Sequence, residues 1–176
     1  MLLALLAPVL MAHGGALSAF EATLAAQDSA TAALGQWCAV RHLSDPASIS
    51  AAQVKGQDAM PPPDLDETLQ LPENQEAGYR HVRLSCGGKI LSEAHNWYAP
   101  QRLTPAMNQT LNATDTPFGK VAAPLAFRRE RLGATEGTAP GCPRDTVLSH
   151  RALLRLPDGA PLALVVECYT PAVLGK

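Results

Sequence analysis

The sequence predicts an α+β protein built on a single, mainly antiparallel β-sheet flanked by short helices. Three observations carry that prediction. Apolar residues recur at helical spacing near the start, at Leu17, Phe20 and Leu24. Two pairs of strand-like segments are each joined by a tight turn signal, Gly87-Gly88 in the first and Pro157-Asp158-Gly159 in the second. Helices come first and hairpins later, without the alternation that builds a parallel sheet.

The elements follow in order. Residues 16–35 read as helix, interrupted at "QDSAT", where Asp28 and Ser29 are suited to cap a second turn of helix. Residues 37–43, "WCAVRHL", read as a strand, and 44–78, with "MPPPD", as a mostly extended surface connection. "YRHVRLSC" and "ILSEAHNWYAP" form the first hairpin. Thr104 and Pro105 open a short helix as N-cap and first residue. "AFRRERL" reads as a solvated strand, and 147–171 as a closing hairpin.

The chain has 176 residues, 47% apolar, with a net charge of −2, which suits one folded domain with a real core. The weak charge and the few aromatics argue against nucleic acid or an anionic membrane as partner. "MLLALLAPVLMA" has the length of a signal-peptide core but lacks a basic flank, since no Lys or Arg precedes Arg41. Residues 1–16 are therefore either a leader or an apolar extension, and 17–176 the domain. Export is favoured over the cytoplasm, with no stable membrane association once a leader is removed. Four cysteines without a C-x-x-C pair suit either two disulfides after export or four buried thiols.

Several residues invite chemistry. Glu167 interrupts the most apolar strand, so it either faces water, pairs with a cation or sits in a cavity as a hydrogen-bonding acid. On the first hairpin, Tyr79, His81, Arg83 and Ser85 share one face, and Arg80, Val82, Leu84 and Cys86 the other. Arginines on a cavity face suit carboxylate ligands. His81 and His95 lack a spaced partner, so no metal is expected. No nucleophile elbow, phosphate loop or dinucleotide fingerprint is present.

The order of "DSAT", "YRHVRLSC", "TPFG", "FRRE", "HRALLRL" and the Glu167-to-Pro171 segment resembles the chorismate lyase fold, which also includes effector-binding domains of some transcription regulators. The resemblance implies elimination of pyruvate from chorismate, with no cofactor. It implies Glu167 as the catalytic acid. Phe118 stands where the enzyme has a smaller pocket Leu, and Ala30 where it has a Met flap residue. Aligned on Cys86, the enzyme's carboxylate-binding Arg falls on His81. Arg83, two residues along the same face, is a candidate substitute, whereas Arg80 would need a bulge or a slip to turn inward. These departures support a second reading, a non-catalytic monomer that binds a small aromatic or carboxylate ligand. A cleaved leader would bring Cys38–Cys86 or Cys142–Cys168 disulfides into reach, with the connectivity open.

Overall fold

The structure is a computed structural model and describes residues 8–175. Of the N-terminal apolar run, residues 1–7 lie outside the described residues. Helix α1 (Pro8–Ala25) leads into α2 (Ala30–Val40). Strand β1 (Ile49–Gln53) and helix α3 (Leu65–Leu69) precede the hairpin of β2 (Gly78–Cys86) and β3 (Lys89–Tyr98). Helices α4 (Pro105–Ala113) and α5 (Phe118–Ala122) lead to β4 (Arg128–Glu136), β5 (Leu148–Arg155) and β6 (Pro161–Tyr169). The six strands form one sheet in the order β1-β2-β3-β6-β5-β4, every neighbour antiparallel. The predicted α+β class is correct. Among the described residues no helix is long and apolar enough to cross a membrane.

Two local readings are corrected. "WCAVRHL" is not a strand. Ala33, Leu34, Trp37 and Cys38 are buried at helical spacing and continue α2, which starts where the Ser29 hydroxyl accepts the Ala32 amide. The 44–78 connection also contains structure, since β1 adds an edge strand to β2 and α3 packs on β6. β1 is only five residues long and partly exposed, so its sequence carries too little alternation to stand out.

The hairpin turn uses Gly87 and Gly88 at φ 53° and 80°, the left-handed values that a two-residue turn of this kind requires. Near its turn β3 carries one extra residue, and the register shifts between Leu84 and Ser85.

The sheet has two different faces. On one, Val82, Leu84, Ala94, Leu148 and Tyr169 meet α1 and α2 through Phe20, Leu24, Leu34 and Trp37. The same face continues under α4 and α5, where Phe118 packs with Tyr98, Leu154 and Val165. On the other face Trp97, Leu153 and Leu164 are covered by Leu65 and Leu69 of α3. All four cysteines are paired. Cys38–Cys86 joins α2 to β2, and Cys142–Cys168 joins the β4–β5 loop to β6.

The bridges close segments with sequence separations of 48 and 26 residues. By chain entropy each contributes roughly 3–4 kcal/mol. Reduction under native conditions is expected to lower the thermal midpoint by well over 10 °C. An unchanged midpoint in a calorimetric scan with and without reductant would contradict this.

Candidate functional site

Glu167 faces the helix-covered side of the sheet. Its cross-strand neighbours are Ala94 on β3 and His150 on β5. The carboxylate is buried and forms an ion pair with the guanidinium of Arg129, which reaches in from β4. Arg129 Nε approaches Oε1 at 3.4 Å, and the Tyr169 hydroxyl donates to Oε2 at 2.8 Å. Arg129 also donates to His150 Nδ1 at 3.1 Å. That bond fixes the neutral tautomer, with the proton on Nε2, which has no partner among the described residues. Burial pushes the His150 pKa down to about 4. Burial lowers Arg129, but the charges of Glu167 and Tyr169 and the hydrogen bonds with both together outweigh it and hold the guanidinium above its usual range. Burial first, then the Glu167 charge, raises Tyr169 well above the ordinary phenol. Of the three options the sequence left for Glu167, the structure takes the cation.

The "FRRE" segment is therefore not simply a solvated strand. Arg129 side-chain exposure is 4%, because it pairs with Leu154 and shares the inward parity of Phe127. That two-residue offset from a buried Phe was the available signal.

The structure brings Ala30, Phe118 and Glu167 around one space, as the resemblance implies, but the space is a cavity of only about 40 Å³. This holds a few waters at most, far below the several hundred Å³ of a ligand site. Its lining includes no Arg, Lys or His. Phe118 fills it and packs on Tyr98 at a ring separation of 5.4 Å. A Cβ at Gly119 would sit 3.0 Å from the Thr31 hydroxyl and 3.2 Å from that of Ser29. The glycine thus lets α5 sit directly on the capped start of α2. "TPFG" is a helix start docked on another helix start.

The two faces of the first hairpin are exchanged relative to the alignment on Cys86. Arg80 faces the Glu167 side with no bulge or slip of its own, opposite Asn96. It points there because Cys86, on the same parity, is bridged to α2. Its guanidinium is committed to the carbonyls of Thr116 at 3.0 Å and Thr114 at 3.1 Å, which hold the loop before α5. Burial pushes the Arg80 pKa down. His81 and Arg83 face the opposite side and are not brought together with Glu167.

On that opposite side His81, Glu93 and His95 form a cluster. His95 stands across from His81, and Glu93 is two residues before it on β3, so one strand face carries all three. His81 Nε2 lies 2.8 Å from Glu93 Oε1, and Arg83 Nε donates to Oε2 at 2.8 Å. The Gln57 carbonyl lies 2.9 Å from His81 Nδ1. Both His81 nitrogens thus face oxygens, a carbonyl on one side and a carboxylate on the other. Burial raises Glu93, but hydrogen bonds from Arg83 and His81 outweigh it and hold the carboxyl below its usual range. Burial, then the His81 charge, lowers His95. Glu93 is the partner that sequence reading missed for His81 and His95. The signal was E-x-H on one strand with a His across the hairpin.

Beside this cluster lies a larger cavity of about 620 Å³. His95, Trp97 and Val166 line its sheet side, Pro61 to Pro63 and Pro140-Gly141 its loop walls. Arg151 also lines it and holds Asp64 through bonds of 2.9 and 2.7 Å.

This sheet and helix arrangement is similar to that of several solved ligand-binding and effector domains. The effector domain of PhnF from Mycobacterium smegmatis superposes with a TM-score of 0.52 at 13% identity, covering 71% of this chain and 82% of that one. The SA0254 gene product of Staphylococcus aureus gives 0.50 at 11% identity, covering 72% and 87%. The ligand-binding domain of a protein described as a GntR-family regulator from Bordetella bronchiseptica gives 0.50 at 13%, covering 69% and 82%. No protein-family model matches the chain. It is 39% identical over 177 residues to the uncharacterised protein y4mC of Sinorhizobium fredii, covering 90% of this chain and 75% of that protein, and it belongs to the same family.

Two outcomes are expected. Glu167→Gln leaves Arg129 buried without its counter-charge and costs about 3–5 kcal/mol, whereas the paired change Arg129→Met with Glu167→Leu recovers most of it; denaturant unfolding of the three proteins checks this. His150 stays neutral in the fold while the unfolded chain takes up a proton below its ordinary value of 6.5. Stability is therefore lost as pH falls from 6.5 through about 4, by roughly 3 kcal/mol from this group. His150→Phe is expected to flatten that part of the stability-against-pH curve.

Proposed function

We propose that this protein binds a small aromatic carboxylate without turning it over, in an oxidising compartment outside the cytoplasm. The observation that carries the reading is the contrast between the two faces: about 620 Å³ beside Trp97 and Arg151, against about 40 Å³ beside Glu167. The larger cavity offers flat apolar walls for a ring and a cation for a carboxylate. Among the described residues Arg151 is held only by Asp64, and both side chains are partly exposed, so a ligand carboxylate can take the place of Asp64. The relation to effector-domain folds adds a precedent for ligand binding without catalysis.

The lyase reading has less support. Elimination from chorismate needs a cation for the substrate carboxylates and an acid for the leaving group. Beside Glu167, Arg129 is already paired with the carboxylate itself and Arg80 with backbone carbonyls. The two disulfides support the compartment, since such bonds persist where thiols are oxidised.

Titration with benzoate, 4-hydroxybenzoate and chorismate, followed by tryptophan fluorescence, tests this. Binding is expected to quench Trp97 emission, to vanish as a signal in Trp97→Phe, and to weaken at least about tenfold in Arg151→Gln. No pyruvate is expected from chorismate. Pyruvate release that disappears in Glu167→Gln would restore the lyase; no binding of any of the three would remove both readings.

A further inference from the structure

We infer that His81, Glu93 and His95 form a binding site for a divalent transition-metal ion of the zinc type. Two imidazoles and a carboxylate are a donor set that zinc takes in open sites. One ligand atom from each of the three residues lies within 4.8 Å of the others.

The surroundings of the donors make the stronger argument. A metal-bound histidine ordinarily donates its other ring N–H to a carbonyl, and a metal-bound carboxylate is itself hydrogen-bonded. All three residues meet these conditions here. His81 Nδ1 lies 2.9 Å from the Gln57 carbonyl, which leaves Nε2 aimed at Glu93. His95 Nε2 lies 3.1 Å from the Gly141 carbonyl, which leaves Nδ1 as a lone pair facing the Tyr79 hydroxyl at 2.9 Å. Arg83 Nε holds the second oxygen of Glu93. Gln57 and Gly141 come from two separate loops, so the ring orientations are set by the tertiary fold.

The proton between His81 Nε2 and Glu93 Oε1 occupies the place of the ion. Binding exchanges the two: the ion gains the His81 lone pair and the Glu93 oxygen, and one proton leaves for solvent. His95 Nδ1 exchanges the Tyr79 hydrogen bond for the ion, and Tyr79 keeps its bond from the Ala59 amide at 2.8 Å. The charged groups around the exchange are Glu93 and Asp58, which favour the ion, and Arg83, which opposes it. Arg83 is 41% exposed against 2% for His81, so water screens its charge while it keeps its bond to Glu93. His95 also lines the 620 Å³ cavity, so the remaining coordination position opens toward it. The site stands whether or not an aromatic carboxylate occupies that cavity.

The test is titration of the chelator-treated, disulfide-intact chain with Zn²⁺ and with Co²⁺ as a visible probe. One ion retained per chain after dialysis, visible Co²⁺ bands and tighter binding as pH rises are expected. Glu93→Gln and His95→Gln are expected to weaken binding at least about 100-fold, while Phe118→Leu leaves it intact. In the unmutated chain, Zn²⁺ is expected to shift the ring signals of His81 and His95 in a histidine-edited NMR spectrum and to leave His150 in place. That readout stands even where a variant fails to fold. Substoichiometric retention, or ring shifts confined to other histidines, would overturn the inference.

Discussion

The buried ion pair between Arg129 and Glu167 constrains everything on the helix-covered face. It joins β4 to β6 across β5, and the Tyr169 hydroxyl and His150 ring complete its hydrogen bonding. A carboxylate in that position has to be either solvated, used or neutralised. Here the neutralising charge comes from an adjacent strand of the same sheet. The helices can then close down directly above, with Phe118 filling the space and Gly119 seating on Thr31 and Ser29. An open pocket on this face would need another cation for a ligand, and the basic residue nearest by parity, Arg80, is spent on the loop that leads into α5.

Closing one face gives the other its importance. The sheet is covered there by one short helix and by loops, so the wall beside Trp97 remains open. The cluster of His81, Glu93 and His95 sits at the edge of the same space, which places ionisable groups, an aromatic surface and a surface cation within one region. The Cys142–Cys168 bridge anchors the loop that supplies Pro140 and Gly141 to this wall. The Cys38–Cys86 bridge fixes the opposite layer by tying α2 to β2. Each disulfide thus supports one side of the sheet.

Much of the fold was legible because it rests on local signals. The two hairpins follow from Gly-Gly and Pro-Asp-Gly turns, and α4 from Thr104 and Pro105. The strand assigned to "WCAVRHL" failed because Trp, Cys and Val suit a strand by type, while burial at positions 33, 34, 37 and 38 is a tertiary fact. The site was harder. Glu167 was legible as an anomaly in an apolar strand, but its partner lies 38 residues away and two strands over. Which face of the first hairpin points inward depended on Cys86, and Cys86 points inward because it bonds Cys38. The alignment placed His81 and Arg83 on the Glu167 side; parity and the bridge place Arg80 there instead.

In the proposed function, ligand recognition lies on the face beneath Trp97 and not beside Glu167. Backbone amide NMR during titration with 4-hydroxybenzoate tests it most directly. Chemical-shift changes are expected to centre on Trp97, Gly141 and Arg151, with Ala30, Phe118 and Glu167 unmoved. Changes centred on Ala30, Phe118 and Glu167 would show that the small cavity opens for ligand and would contradict the account.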